Sequence, residues 1–236
     1  MINKKWKGYL NALIYRISNF NHIIRFKIQS WLRLTNSYQP NPFQSQNNSN
    51  TRLSSERLKL IKDSLPKENC SFLDIGCNQG YFLFELAENS NFCLGIDSGR
   101  NEIMYANSLK SIHKIKNVIF ENREISKDDL IAFPRFDVII FLSVFHHLVK
   151  NNNRVYAEEF MENLSFINSK YLFFETGQPD EISASWSKDL DFMNPNSDEY
   201  ISGMLRKIGY KKIKKIGSTK SFSSAAERSL FFASKI

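Results

Sequence analysis

Ser71-Phe72-Leu73-Asp74-Ile75-Gly76-Cys77-Asn78-Gln79-Gly80 is an apolar strand that runs into a glycine turn. Gly76 and Gly80 carry no Cβ, so the backbone there can turn sharply and come close to a ligand. The residues that follow, Tyr81 to Glu88, place apolar side chains at Phe82, Leu83, Leu86 and Ala87, which is the spacing of a helix whose N-terminus faces the turn. A second apolar strand ends at Ile96-Asp97, seventeen residues past Gly80, where a carboxylate can accept hydrogen bonds from a ribose diol. Strand, turn, helix, strand and acid in this order predict a nucleotide-type pocket and not merely a structural turn.

The dinucleotide fingerprint G-x-G-x-x-G is not what stands here. The chain has Asp74-x-Gly76-x-Asn78-x-Gly80, which resembles motif I of class I S-adenosylmethionine-dependent methyltransferases, an acid followed by x-G-x-G-x-G. It departs at the middle glycine. Asn78 is the mildest replacement, since asparagine tolerates positive φ better than other non-glycine residues. The rest of the chain keeps the family's order from residue 52 to 236. Val118-Ile119-Phe120 reads as a third strand, Phe136 to Leu142 as a fourth and Tyr171 to Glu175 as a fifth. Gly209 to Ile213 and Ser229 to Ala233 look like the last two strands, and helix-period segments such as Glu102 to Leu109 and Val155 to Asn168 lie between strands. The resemblance therefore implies a three-layer, Rossmann-like α/β methyltransferase fold. Its seven-stranded sheet is mostly parallel, with an antiparallel last strand.

It also implies S-adenosylmethionine as cofactor, lying over Asp74, Gly76, Cys77, Asn78 and Gly80 with its ribose on Asp97 and the adjoining Ser98. Glu124 and Ile125 fall where the family places an acid and an apolar residue around the adenine. Ser143 opens the segment Ser143-Val144-Phe145-His146-His147-Leu148, which resembles the family's closure over the methionine end. Methyl transfer from a sulfonium is an in-line displacement, so positioning supplies much of the rate. A base is needed only where the acceptor must lose a proton. His146 and His147, whose imidazoles titrate near neutrality, are candidates for that task, and Glu175 at the end of the fifth strand is another. Each also has a structural reading: histidines that shape the cofactor site, and an acid that caps a loop.

Thr176 to Ser197 is long for a strand-to-helix connection, and such connections are often functional. With Trp186 and Phe192 beside Asp180, Glu181, Asp189 and Asp191, it reads as an acceptor-site lid that would repel a polyanion. The expected acceptor is accordingly a hydroxyl of a small molecule or glycan, ahead of nucleic acid. No Asn-Pro-Pro-Tyr motif follows the fourth strand, which argues against an amino group of adenine or glutamine. Short matches at Asp74 to Phe82 and Phe173 to Thr176 resemble transfer-RNA wobble-uridine enzymes, and Leu142-Ser143 with Glu175 and Gln178-Pro179 resembles RNA-phosphate capping methyltransferases. RNA or tRNA modification thus stays an alternative, as does a non-catalytic binding or scaffold subunit in which Asn78 marks decay.

At 236 residues and 42% hydrophobic, the chain can bury one substantial core. Cys70, Cys77 and Cys93 have no paired or metal-ligand spacing, so no metal site is expected, and reduced thiols with no leader-like start predict a cytoplasmic protein. Charge is uneven. Residues 1 to 50 hold Lys4, Lys5, Lys7, Arg16, Arg25, Lys27 and Arg33 and no acid, which is +7 of the formal +8. Within residues 1–37, Trp6, Leu10, Leu13, Ile14, Ile17, Ile24, Ile28, Trp31 and Leu32 recur mostly at helical spacing, predicting a basic amphipathic arm. It packs on the domain or covers the cofactor, attaches peripherally to an anionic membrane surface such as the inner membrane face, or binds RNA. Residues 38–51, with Pro40, Pro42 and an asparagine-rich end, read as a linker before the domain at 52–236. Oligomeric state has no sequence signal.

Overall fold

The computed structural model describes residues 39–43, 49–67 (the first four by backbone alone), 69–220 and 226–236. The expected arm at 1–37 lies outside them. Seven strands form one sheet: β1 (Cys70–Ile75), β2 (Ser90–Asp97), β3 (Val118–Asn122), β4 (Val138–Leu142), β5 (Tyr171–Glu175), β6 (Lys212–Lys220) and β7 (Glu227–Ser234). Their order is β3-β2-β1-β4-β5-β7-β6. The first five pair in parallel, and β7 runs antiparallel to both β5 and β6.

β4 and β5 are buried at every position, as continuous apolar runs are when both faces of a parallel sheet are covered. Successive side chains point to opposite faces, so each strand feeds two cores. Leu73, Ile139, Phe141, Leu172 and Phe174 point one way, towards α4 (Phe145–Asn151), α5 (Arg154–Asn163) and α6 (Ser197–Lys207). Phe72, Ile140, Phe173 and Leu230 point the other way, towards α1 (Ser49–Ser64), α2 (Tyr81–Leu86) and α3 (Arg100–Ile112). This gives the three-layer α/β architecture. Of the edge strands, β6 is largely exposed and carries Lys212, Lys214 and Lys215, charges that discourage pairing with another chain.

Several boundaries differ from the expectation. Strand β4 starts at Val138 and not at Phe136, because the Asp137 carboxylate is taken by the Ser71 N–H and hydroxyl at 3.0 and 2.9 Å. The expected sixth strand at 209–213 is the end of α6: Gly209 (φ 98°) donates to Arg206 O, and Tyr210 donates to Leu205 O. That double closure ends a helix on a left-handed residue, so the strand begins only at Lys212. α5 stops at Asn163, and a 3₁₀ turn, Leu164–Ile167, carries the chain to Asn168. The domain boundary expected at 52 falls inside α1. Residues 39–43 of the expected linker lie against the domain: Gln39 is buried, and the Phe43 ring stacks on His113 at 3.7 Å. No described helix is long and apolar enough to cross a membrane.

The chain moves outward from β1 through β2 to β3, then returns to the other side of β1 as β4. Reversals of this kind open a crevice at the carboxyl ends of the strands. The turn after β1 and the segment after β4 border it.

Candidate active site

The turn after β1 is built from left-handed backbone at three alternate positions: Gly76 (φ 81°), Asn78 (φ 51°) and Gly80 (φ 80°). Neither glycine has room for a side chain. A Cβ at Gly76 would stand 2.4 Å from Val144 Cγ2, and one at Gly80 the same distance from the Phe120 ring. Every backbone N–H from 76 to 81 has a partner. Gly76 and Cys77 donate to Ile96 O at 2.8 and 3.2 Å, and Gly80 donates to Cys77 O at 2.9 Å. Asn78 donates to the Asp97 carboxylate at 2.8 Å. Gln79 and Tyr81 donate to the side-chain oxygen of Gln39, at 3.1 and 3.2 Å.

Asp97 thus braces the turn while standing at the end of β2, and its other oxygen accepts from Gly99 N–H at 2.7 Å. Asn122 donates to the backbone oxygens of Asp97 and Ser98, pinning the end of β3 to the end of β2. Ser98 and Glu124 are exposed there, and Ile125 is half-buried against the core. Cys77 is buried, and that burial, followed by the charges of Asp74 and Asp97, pushes its thiol well above the ordinary range. It is a packing residue and a poor nucleophile. Asp74 is buried in the strand, and desolvation, with the Asp97 charge second, raises its carboxyl well above the usual carboxylate range.

Among the described residues, three buried side-chain atoms have no partner: Asp74 Oδ2, Asn78 Oδ1 and Gln178 Nε2. Buried polar atoms are nearly always satisfied, so two acceptors and a donor left open fit a ligand with both kinds of group. The methionine end of S-adenosylmethionine, an ammonium beside a carboxylate, has that chemistry, so these residues suit the cofactor the turn implies.

The second wall is formed after β4 and β5. Ser143 adopts φ 59°, donates its N–H to Glu175 O at 2.8 Å and its hydroxyl to the Glu175 carboxylate at 2.8 Å. Glu175 is fully buried, and it also receives Arg57 at 3.2 and 3.3 Å and Thr219 at 3.4 Å. Arg228 donates to Ser143 Oγ at 3.1 Å and forms a two-pronged pair with Glu181 at 2.7 and 2.9 Å. The result is a buried chain of alternating charge, Arg57, Glu175, Arg228, Glu181. This arrangement bears on two expectations. Glu175, a candidate base in the sequence, is already surrounded by donors and ties the ends of β4 and β5 to α1 and β6. Glu181 is not a free lid charge, since Arg228 neutralises it; Asp180, Asp189 and Asp191 are the exposed lid acids.

The two histidines separate in role. His146 is buried, with its ring 4.2 Å from His147 and 4.4 Å from Trp186. Gly177 N–H donates to its Nδ1 at 3.0 Å, so the proton of the neutral ring sits on Nε2. Burial, then the His147, Arg228 and Lys150 charges, hold its pKa well below the ordinary imidazole value. His147 is exposed, one helical turn past Val144, to whose carbonyl its N–H donates. Surrounding protein, then Arg228 and Lys150, lower its pKa as well. Among the described residues no group of three or more His, Cys, Asp or Glu could hold a metal ion.

Sequence reasoning missed Gln39, Arg57 and Arg228. Arg57 left a signal, for it falls in the stripe Ser54, Arg57, Leu58, Ile61 that faces the core, and a guanidinium there requires an anion.

Solved structures agree with this architecture. WbdD, described as a bifunctional kinase-methyltransferase, superposes with TM-score 0.64 at 22% identity, over 84% of this chain and 43% of that one. This chain thus spans less than half the length of WbdD. Magnesium protoporphyrin IX methyltransferase ChlM from Synechocystis PCC 6803, solved with bound SAH, matches at TM-score 0.57 and 16% identity, over 82% and 90% of the two chains. The N-methyltransferase NodS from Bradyrhizobium japonicum WM9 matches at 0.57 and 15%, over 79% and 98%. At such identities the likeness is one of fold. No curated protein matches the sequence. The family model of a methyltransferase domain, however, matches residues 66–196, more than half of the chain, which therefore belongs to the class I S-adenosylmethionine-dependent methyltransferases.

Proposed function

We propose that this chain transfers a methyl group from S-adenosylmethionine to a hydroxyl of a small molecule or glycan, with His147 taking the hydroxyl proton. The cofactor supplies an electrophilic methyl on a sulfonium; what the chain supplies is placement and a base. The observation that carries the reading is His147 itself. It is an exposed imidazole held below its ordinary pKa, hence neutral and able to accept a proton near pH 7, on the helix that begins beside the cofactor turn. His146, buried with Nδ1 already accepting, orients this helix against the segment after β5. Three exposed lid carboxylates favour a neutral or cationic acceptor over a polyanion.

The test is an assay of S-adenosylhomocysteine release with a panel of hydroxyl-bearing acceptors, run on the wild type, His147→Gln and His146→Gln. A base contributes about 10²–10⁴-fold. His147→Gln should lose turnover on that scale at unchanged cofactor affinity, while His146→Gln should chiefly lose stability. Near-normal turnover in His147→Gln would remove it as the base.

A further inference from the structure

Of the six consecutive N–H groups that shape the cofactor turn, two are held by a side chain from about forty residues upstream. The Gln39 oxygen accepts from Gln79 and Tyr81 together, and both Gln39 and Gln79 are buried. Asn78, between Cys77 and Gln79, holds a left-handed backbone, which asparagine adopts more readily than other non-glycine residues but which its surroundings still help to fix. One constraint is the Asp97 carboxylate on Asn78 N–H; Gln39 on the next N–H is the other. The strand of chain that delivers Gln39 is itself fastened. Asn41 donates to the Tyr105 hydroxyl at 3.3 Å, and Phe43 stacks on His113 and meets Phe84 edge-on at 5.3 Å. Pro40 and Pro42 limit the conformations the segment gives up on docking.

From this we infer that Gln39 is a positioning residue of the cofactor site: its side-chain oxygen sets the turn Gly76 to Gly80 in the shape that receives S-adenosylmethionine. It touches neither the methyl group nor the acceptor. Its effect passes through the backbone of Gln79 and Tyr81, and it makes residues 39–43 part of the binding unit. The inference rests on the cofactor reading but not on any acceptor.

The test uses the full chain and S-adenosylhomocysteine as probe, with calorimetric titration of the wild type, Gln39→Ala and Gln39→Glu. Gln39→Ala removes the acceptor from both N–H groups and should raise the dissociation constant roughly ten-fold, equivalent to about 1.4 kcal/mol. Gln39→Glu keeps an oxygen within reach of both donors and should return affinity to within about three-fold of wild type. A merely structural residue would lower the melting temperature in both variants and leave affinity alone. Unchanged affinity in Gln39→Ala, or equal loss in both variants, overturns the inference. Should Gln39→Ala not fold, hydrogen exchange on the wild type decides: slow exchange at Gln79 and Tyr81 supports it, and exchange at solvent rates refutes it. Wild-type protein that binds no S-adenosylhomocysteine would instead refute the cofactor reading.

Discussion

Arg57 and Glu175 are 118 residues apart in the chain and 3.2 Å apart in the fold, both buried, joining the helix before the sheet to the end of its fifth strand. Breaking a buried pair leaves one charge without its counter-ion, which costs about 3–5 kcal/mol. Arg57→Met should therefore destabilise the domain by about 3 kcal/mol, the low end, because Ser143, Thr219 and Arg228 still attend the carboxylate. Thermal unfolding should show a fall of roughly 6–12 °C. A fall of only a degree or two would mean the pair is not formed.

Asp97 serves the turn and, on our reading, the ribose. Asp97→Ala removes the partner of Asn78 N–H as well as a charged acceptor for ligand hydroxyls. A charged hydrogen bond is typically worth about 1.5–3 kcal/mol, so S-adenosylhomocysteine affinity should drop at least roughly ten-fold in calorimetric titration. Retained affinity would take Asp97 out of the site.

Asp74 carries a stability cost whose sign is fixed. Its folded-state pKa is raised, so it favours folding while protonated, below the unfolded carboxyl value of about 3.9, and that contribution is lost as pH rises through the raised folded value. Asp74→Asn should accordingly melt higher than wild type at pH 8, with the gain vanishing near pH 4. Cofactor affinity should fall in the same variant, because an open acceptor has been altered.

His146 works in the opposite sense. Its folded pKa is depressed, so its contribution is complete above the ordinary imidazole value of about 6.5 and is lost as pH falls from there towards the folded value. Denaturant midpoints of wild type and His146→Gln should converge as pH drops from 7 to 5. Parallel profiles would show that His146 is not held neutral.

Gly80→Ala meets two obstacles, a left-handed backbone and the Phe120 ring 2.4 Å from the new Cβ. Backbone strain of about 1 kcal/mol and overpacking of about 1–3 kcal/mol should add. In Gly80→Ala with Phe120→Leu, denaturant unfolding should recover the packing part and leave the strain.

The sheet was legible because its strands spell themselves. Val138–Leu142 and Tyr171–Glu175 are uninterrupted apolar runs, and Gly76, Asn78 and Gly80 mark the turn between strand and helix. Gly209 misled because a glycine before Tyr210 and Ile213 reads as a strand start, while the geometry it adopts is a helix end. The roles of Glu175 and Glu181 were illegible for a different reason. An acid beside a pocket and an acid inside an ion pair have the same letter, and only the approach of Arg57 and Arg228, both distant in sequence, distinguishes them. Gln39 gave no signal at all, since a glutamine just ahead of two prolines has the composition of a linker.

The chain of charges through Arg57 also bears on where the autonomous folding unit begins. The family match starts at residue 66, two residues beyond the end of α1. A protein cut there would keep all seven strands and every motif by which the family is recognised, yet Glu175 would face the interior without the nearer of its two guanidinium partners. The recognisable domain is thus shorter than the one whose buried charges are fully paired, and the missing piece is a helix that carries no signature of the family.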